Sequence, residues 1–101
     1  MSLKIEVSKE ELAAFCRRHQ IRKLAFFGSV LRDDFAPESD VDVLVEFEPG
    51  TRVGLFELYD MEQELSRLLG DRKVDMNTPR SLSKYFREEV LQEAEVHYAA
   101  A

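Results

Sequence analysis

Alternation of apolar and polar positions is clearest in residues 40–48, DVDVLVEFE. Every second residue there is apolar, which predicts a β-strand with one face in the core. Two carboxylates, Asp40 and Asp42, enter this strand among core residues, and a charge beside a core is costly unless something compensates it. One face carries Val41, Val43, Val45 and Phe47, and the other carries Asp40, Asp42, Leu44 and Glu46.

The rest of the pattern predicts four helices and two further strands. Around strand 40–48 they lie, in chain order, at helix 8–20, strand 21–28, helix 30–35, helix 55–70, strand 72–79 and helix 81–100. The resulting order α-β-α-β-α-β-α predicts a mixed α/β fold, a small β-sheet with helices packed on it, in one domain over residues 1–101. Both faces of strand 21–28 are apolar, so both are expected to be covered.

Local signals define several helix ends. Ser8 and Glu11 form a predicted capping box for the first helix, and Ser29 is a predicted cap for the second. Pro37 cannot continue that second helix, and Gly70 is a predicted C′ residue of the third. The last helix is predicted to bury five apolar residues, which are Leu82, Tyr85, Phe86, Val90 and Leu91.

Composition and charge narrow the class of protein. The 101 residues carry 14 Lys and Arg against 20 Asp and Glu, a net charge of −6, so non-specific nucleic-acid binding is not expected. Cys16 is the single cysteine, and its helical context predicts a buried thiol. No apolar run approaches 18 residues and no signal-peptide pattern is present, which favours a soluble cytoplasmic protein without membrane contact.

Three carboxylates are placed where they could converge. Asp40 and Asp42 project from one face of their strand, and Asp75 lies between Val74 and Met76 on a later short strand. If these strands are neighbours, the carboxylates repel one another and raise each other's pKa. A divalent cation would relieve that repulsion, and oxygen-only ligands suit Mg²⁺ or Mn²⁺.

A Gly-Ser pair precedes the aspartates by about ten residues. Gly28 permits close approach of the backbone to a ligand, and Ser29 adds a hydroxyl and free N–H groups, which together form a candidate phosphate site. Each feature alone also fits an ordinary role: Gly28-Ser29 a turn, Asp40 a turn residue, Asp75 a solvated edge residue. Arg32 could contact phosphate or pair with Asp33, Asp34 or Glu38.

The combined pattern resembles a known signature. GSVLRDDFAPESDVDVLVEF, with the later VDM, is similar to the DNA polymerase beta-like nucleotidyltransferase motif, hG[GS]…[DE]h[DE]h followed by a third carboxylate. The short chain, SDVDVLVEF and VDMNTP resemble in particular the minimal nucleotidyltransferase (MNT) group, which includes antitoxins of HEPN-domain toxins. The resemblance extends from about Leu12 to Tyr98.

The resemblance implies a role for each residue. Gly28, Ser29 and Arg32 would bind the nucleotide, while Asp40, Asp42 and Asp75 would be the catalytic and metal-binding carboxylates, with two Mg²⁺ ions. The implied reaction transfers AMP from ATP to a hydroxyl, that of a tyrosine, on a HEPN toxin. The alternative is a non-catalytic antitoxin that acts by binding alone. An Asp-x-Asp-x-Thr phosphohydrolase fits poorly because position 44 is leucine.

Overall fold

A four-stranded sheet with helices on both faces organises the chain in this computed structural model. The structure describes residue 5, residues 7–32, residue 36, residues 38–85 and residues 87–100. The elements are α1 (Lys9–Arg18), β1 (Ile21–Phe27), a 3₁₀ helix (Gly28–Leu31), β2 (Val41–Phe47), α2 (Leu55–Leu68), β3 (Val74–Asn77), α3 (Arg87–Glu93) and β4 (Glu95–Ala99). The predicted mixed α/β fold is therefore confirmed.

The strand order across the sheet is β3-β2-β1-β4. β2 and β3 are parallel and are joined by α2, as a parallel pair requires a crossover connection. β1 pairs antiparallel with both β2 and β4. The strands that carry the predicted carboxylates are therefore neighbours, and Asp42 is the register partner of Asp75.

Apolar side chains cover both faces of the sheet. On one face, the valines of β2 pack with Leu24 and Phe26 against α1 and α2. The opposite face has a smaller cluster, in which Ala25, Phe27 and Leu44 contact Leu82 and Val90. Asp42 lies on this second face, beside the smaller cluster, because its register partner on β1 is Phe27.

The ends of α1 and α2 follow their local signals. The Ser8 hydroxyl accepts a hydrogen bond from the Glu11 N–H at 3.3 Å, which confirms Ser8 as the N-cap of α1. Gly70 follows the C-cap Leu69 with φ +77°, the left-handed conformation expected of a C′ glycine. α2 is 14 residues long, and no helix in the described ranges has the length and apolar character to cross a membrane.

The predicted helix 30–35 is replaced by a shorter element. A 3₁₀ helix covers Gly28–Leu31, and the backbone is extended again at Arg32. Ser29 lies inside this turn rather than at its N-cap, a position held by Phe27 without a side-chain hydrogen bond. Val30 and Leu31 are buried, so tertiary packing holds this turn. The remainder of the predicted helix, residues 33–35, and Pro37 lie outside the described residues.

Only the middle of the predicted last helix is helical in the structure. It forms α3, and the chain then enters β4, which pairs with β1. Leu82 and Val90 are buried as predicted, whereas Tyr85 is 87% exposed and Leu91 is 46% exposed. Because α3 has only seven residues, the helical spacing that placed Tyr85 in the core does not extend to it. Phe86 lies outside the described residues.

Candidate active site

A cleft of about 410 Å³ opens at the end of β1, beside the start of β2. We call it the carboxylate cleft, and its volume is within the range of small-molecule sites. Its walls come from the end of β1, the 3₁₀ turn, β2 and α3. The lining residues are Phe27, Gly28, Ser29, Arg32, Asp42, Glu89, Val90 and Glu93.

Asp42 and Asp75 are held side by side by the parallel pairing of β2 and β3. Partners in register project from the same face of a sheet, so both carboxylates lie on the cleft side. Asp42 is half-buried, and Asp75 on the edge strand is exposed. The sheet therefore positions two carboxylates without any loop.

The pKa of Asp42 is raised from 3.8 to about 6. The largest cause is burial, followed by the negative charges of Asp75 and Asp40, while the Arg32 guanidinium acts in the opposite direction. The charges of Asp75 and Asp40 thus act on Asp42 at this end of the sheet. Burial of the Asp42 carboxylate and its repulsion by the other two aspartates therefore destabilise the folded state.

Because of this cost, replacing Asp42 with asparagine is expected to stabilise the protein in the absence of divalent cations. Below pH 3.8 the carboxyl is neutral in both the folded and the unfolded chain and does not lower the free energy of unfolding. As pH rises from 3.8 through about 6, ionisation of the carboxyl lowers the free energy of unfolding. After discounting for solvent screening, we expect the variant to be about 1 kcal/mol more stable at pH 8. Urea unfolding of both proteins from pH 4 to pH 8 measures this difference. A gap independent of pH would contradict the assignment.

Gly28 is the point at which the backbone touches the Asp42 carboxylate. Its φ is +77°, a conformation that other residues rarely adopt. A Cβ added here would collide with Asp42 Oδ2 and lie 3.3 Å from Asp42 Cγ. Glycine is therefore required both by the turn and by the space that the carboxylate occupies.

Asp40 precedes β2 and faces a cation. Its Oδ2 lies 3.9 Å from Lys73 Nζ, on the residue before Val74 of β3. Within the described ranges, no three His, Cys, Asp or Glu side chains are already arranged to hold a metal ion. The donor chemistry of Asp42 and Asp75, two paired carboxylates with raised proton affinity at Asp42, does fit Mg²⁺, which takes one or two carboxylates and fills its shell with water and phosphate.

Ser29 and Arg32 both line the carboxylate cleft. Arg32 pairs with Glu93 at 3.7 Å, a partner that the sequence did not suggest. Glu38, one of the predicted alternatives, is not an ion-pair partner of Arg32 in the structure, and Asp33 and Asp34 lie outside the described residues. The structure thus brings together Gly28, Ser29, Arg32, Asp42 and Asp75, with Asp40 at the margin.

Sequence reasoning missed the two glutamates of α3 that line the cleft. Glu89 and Glu93 are one helical turn apart and flank Val90, which packs on the sheet. The sequence shows their i, i+4 spacing around an apolar residue. No nearby residue, however, indicates which element the helix packs against. A larger groove, about 690 Å³, lies at the other end of β2 and contains none of the predicted site residues.

The remaining titratable candidates have structural surroundings. His19 Nε2 lies within hydrogen-bonding distance of Glu64 Oε1, at 2.9 Å, and His97 Nε2 lies 3.0 Å from Glu95 Oε1. Cys16 is buried, and burial raises the pKa of its thiol to about 12, so it is not a reactive thiolate. The burial of Cys16 agrees with the prediction from the sequence.

Comparison with known proteins identifies the family. The model of the nucleotidyltransferase domain family matches residues 9–97. A protein adenylyltransferase, MntA, of Thermococcus cleftensis is 37% identical over 76 residues, which cover 75% of this chain and 74% of the relative. The match includes most of the chain and of the relative.

Solved structures share the fold. A toxin–antitoxin complex with AMP-PNP superposes with a TM-score of 0.74 at 19% identity, covering 93% of this chain and 75% of the other. A complex of a tri-AMPylated Shewanella oneidensis HEPN toxin with its MNT antitoxin gives a TM-score of 0.65 at 19% identity, covering 91% and 70%. The likeness to these two structures shows the fold. With the family match and the close relative, it follows that the chain belongs to the minimal nucleotidyltransferases and is an enzyme of the protein adenylyltransferase class.

Proposed function

We propose that this protein is the antitoxin of a toxin–antitoxin pair and transfers AMP from ATP to a tyrosine hydroxyl of a HEPN-domain toxin. The observation that carries the proposal is the contact of Gly28 with Asp42, which is itself in register with Asp75. It joins a turn suited to phosphate with a carboxylate pair suited to a metal ion. A metal-bound nucleoside triphosphate needs both at once.

The relatives support the same conclusion. The Thermococcus protein is named a protein adenylyltransferase. One structural neighbour was solved with the ATP analogue AMP-PNP, and another holds a HEPN toxin that carries three AMP groups. These properties belong to those proteins, and we extend them to this chain because its cleft has matching chemistry.

Each side chain has a distinct task in the proposed reaction. Gly28, Ser29 and Arg32 line the cleft, and the Gly28 N–H, the Ser29 hydroxyl and the Arg32 guanidinium would bind the phosphates. Asp40, Asp42 and Asp75 would hold Mg²⁺, for which Asp40 must turn from Lys73. When bound, Mg²⁺ neutralises the charge that develops on the attacking and leaving oxygens.

The acceptor reacts by displacement at phosphorus. Its hydroxyl oxygen forms a bond to the α-phosphorus, the bond from that phosphorus to the α,β-bridging oxygen breaks, and pyrophosphate leaves. Asp75, whose side chain is exposed, would receive the hydroxyl proton. Because Asp75 is on the edge strand β3, an acceptor on another protein could reach it from solvent.

Binding of the nucleotide is expected to stabilise the protein. At a hundredfold excess of Mg²⁺–ATP over its Kd, mass action adds about 2.7 kcal/mol, or roughly 13 °C in Tm. Differential scanning fluorimetry with Mg²⁺–ATP measures the shift; Mg²⁺ alone and ATP with EDTA are the controls. Absence of any shift at millimolar nucleotide would count against the nucleotide site.

The transfer itself is tested with purified proteins. The chain is incubated with Mg²⁺, ATP labelled at the α-phosphate, and the product of the adjacent gene. The label should appear on the partner and depend on Mg²⁺. Label that stays in solution while the partner is still inhibited would favour the second candidate, an antitoxin that acts by binding alone. The pairing of Asp40 with Lys73 is the observation that favours it.

A further inference from the structure

The side chain of Glu93 occupies the part of the carboxylate cleft assigned above to phosphate. Its Oε1 accepts a hydrogen bond from the Gly28 N–H at 3.4 Å. The same oxygen lies 3.7 Å from an Arg32 guanidinium nitrogen. One carboxylate oxygen is thus placed between two groups that would bind the nucleotide.

Both contacts are long for their type. Backbone N–H···O hydrogen bonds cluster near 2.9–3.0 Å, and 3.7 Å exceeds hydrogen-bonding distance for a guanidinium and a carboxylate. The side chains of Glu93 and Arg32 are 44% and 55% exposed, so water competes for both. Such contacts are easily exchanged for those of a more highly charged anion.

We propose that Glu93 is an internal competitor for the triphosphate, a residue that sets nucleotide affinity by holding Gly28 and Arg32 until a nucleotide displaces it. This inference rests on the proposed function, because it uses the same cleft. Glu93 is the last residue of α3. Rotation of its side chain torsions is enough to free both groups, and no movement of the helix is needed.

The charge of the surrounding wall strengthens the competition. Glu89 lines the same cleft one turn earlier, and Asp42 faces it from β2, so among the described lining residues Arg32 is the one cationic side chain. An incoming phosphate must therefore replace Glu93 at that cation rather than find a second one. A site whose competent state is only partly populated binds with an apparent Kd raised by the reciprocal of that fraction.

Removing the competitor is expected to tighten binding. Isothermal titration with Mg²⁺–AMP-PNP should give a Kd about three- to tenfold lower for Glu93→Gln and Glu93→Ala than for the parent, as for a competent fraction of about 0.1–0.3. The matched control is Glu88→Gln, which removes one charge from the exposed surface of the same helix, outside the cleft lining, and leaves the contacts of Gly28 and Arg32 with Glu93 intact. Its Kd should stay within about twofold of the parent, as for other changes to screened surface charge.

A variant that lacks Arg32 distinguishes the contact of Glu93 with Gly28 from its contact with Arg32. In Arg32→Ala protein, Glu93→Ala should still tighten binding, because it removes the oxygen that accepts the hydrogen bond of the Gly28 N–H. Equal or weaker binding by both Glu93 variants in the parent background would overturn the inference and make Glu93 a support for Arg32. If neither the parent nor any variant binds Mg²⁺–AMP-PNP, the proposed function fails as well, which distinguishes the two failures.

Discussion

Replacing Asp42 with asparagine is expected to slow AMP transfer to the partner by about a thousandfold or more. Asp42 adjoins Gly28, lies in register with Asp75 and lines the cleft. Asparagine keeps the shape but removes the charge that a metal ion needs, and electrostatic stabilisation is the largest part of phosphoryl-transfer catalysis. The initial rate of label transfer to the purified partner measures the loss.

A matched control separates this loss from a general effect of charge. Asp60→Asn removes one aspartate from the exposed surface of α2, on the helix layer that packs against the other face of the sheet. It should transfer AMP at the parental rate. Asp42→Asn should remain folded and still bind the partner. A variant at position 42 that retains transfer within about tenfold of the parent would show that the catalytic carboxylates lie elsewhere, since a single group of this kind contributes about a hundredfold or more.

Gly28→Ala is expected to lower transfer by about a hundredfold with only a modest loss of stability. Alanine at φ +77° costs about 1 kcal/mol in backbone strain. Its methyl group would also collide with Asp42 Oδ2, and the carboxylate must rotate away to make room. Displacement of a catalytic group by about 1 Å can cost a hundredfold in rate.

Gly70 provides the control for Gly28. It has the same φ of +77°, and a Cβ added there meets nothing within 4 Å. Gly70→Ala and Gly28→Ala should therefore lose similar stability in urea unfolding, while only Gly28→Ala loses transfer and nucleotide binding. Equal activity of the two variants would mean that the Gly28–Asp42 contact has no catalytic role.

The strands that build the site could be predicted because their pattern is local. Period-two alternation of apolar residues predicted β2, and the apolar residues on either side of Asp75 predicted β3. The pairing of Asp42 with Asp75 then required only that these two strands be neighbours. The helix caps at Ser8 and Gly70 followed from local chemistry in the same way. These features depend on residues close together in sequence.

The features that were missed depend on distant contacts. β4 reads as a continuation of α3 because Glu and Ala favour helices, yet its backbone gains hydrogen bonds to β1, some 70 residues earlier. The 3₁₀ turn after β1 is fixed by the burial of Val30 and Leu31. Glu93 reaches Gly28 only after α3 docks on the sheet, so no local pattern places it in the cleft.

The central claim is AMP transfer to a partner protein, and the mass of that partner tests it most directly. The product of the adjacent gene is co-expressed with the parent or with Asp42→Asn, purified, and measured by intact-mass spectrometry. We predict a gain in multiples of one AMP with the parent and none with the variant. An unmodified partner that is silenced equally by both forms would contradict the account and leave an antitoxin that acts by binding alone.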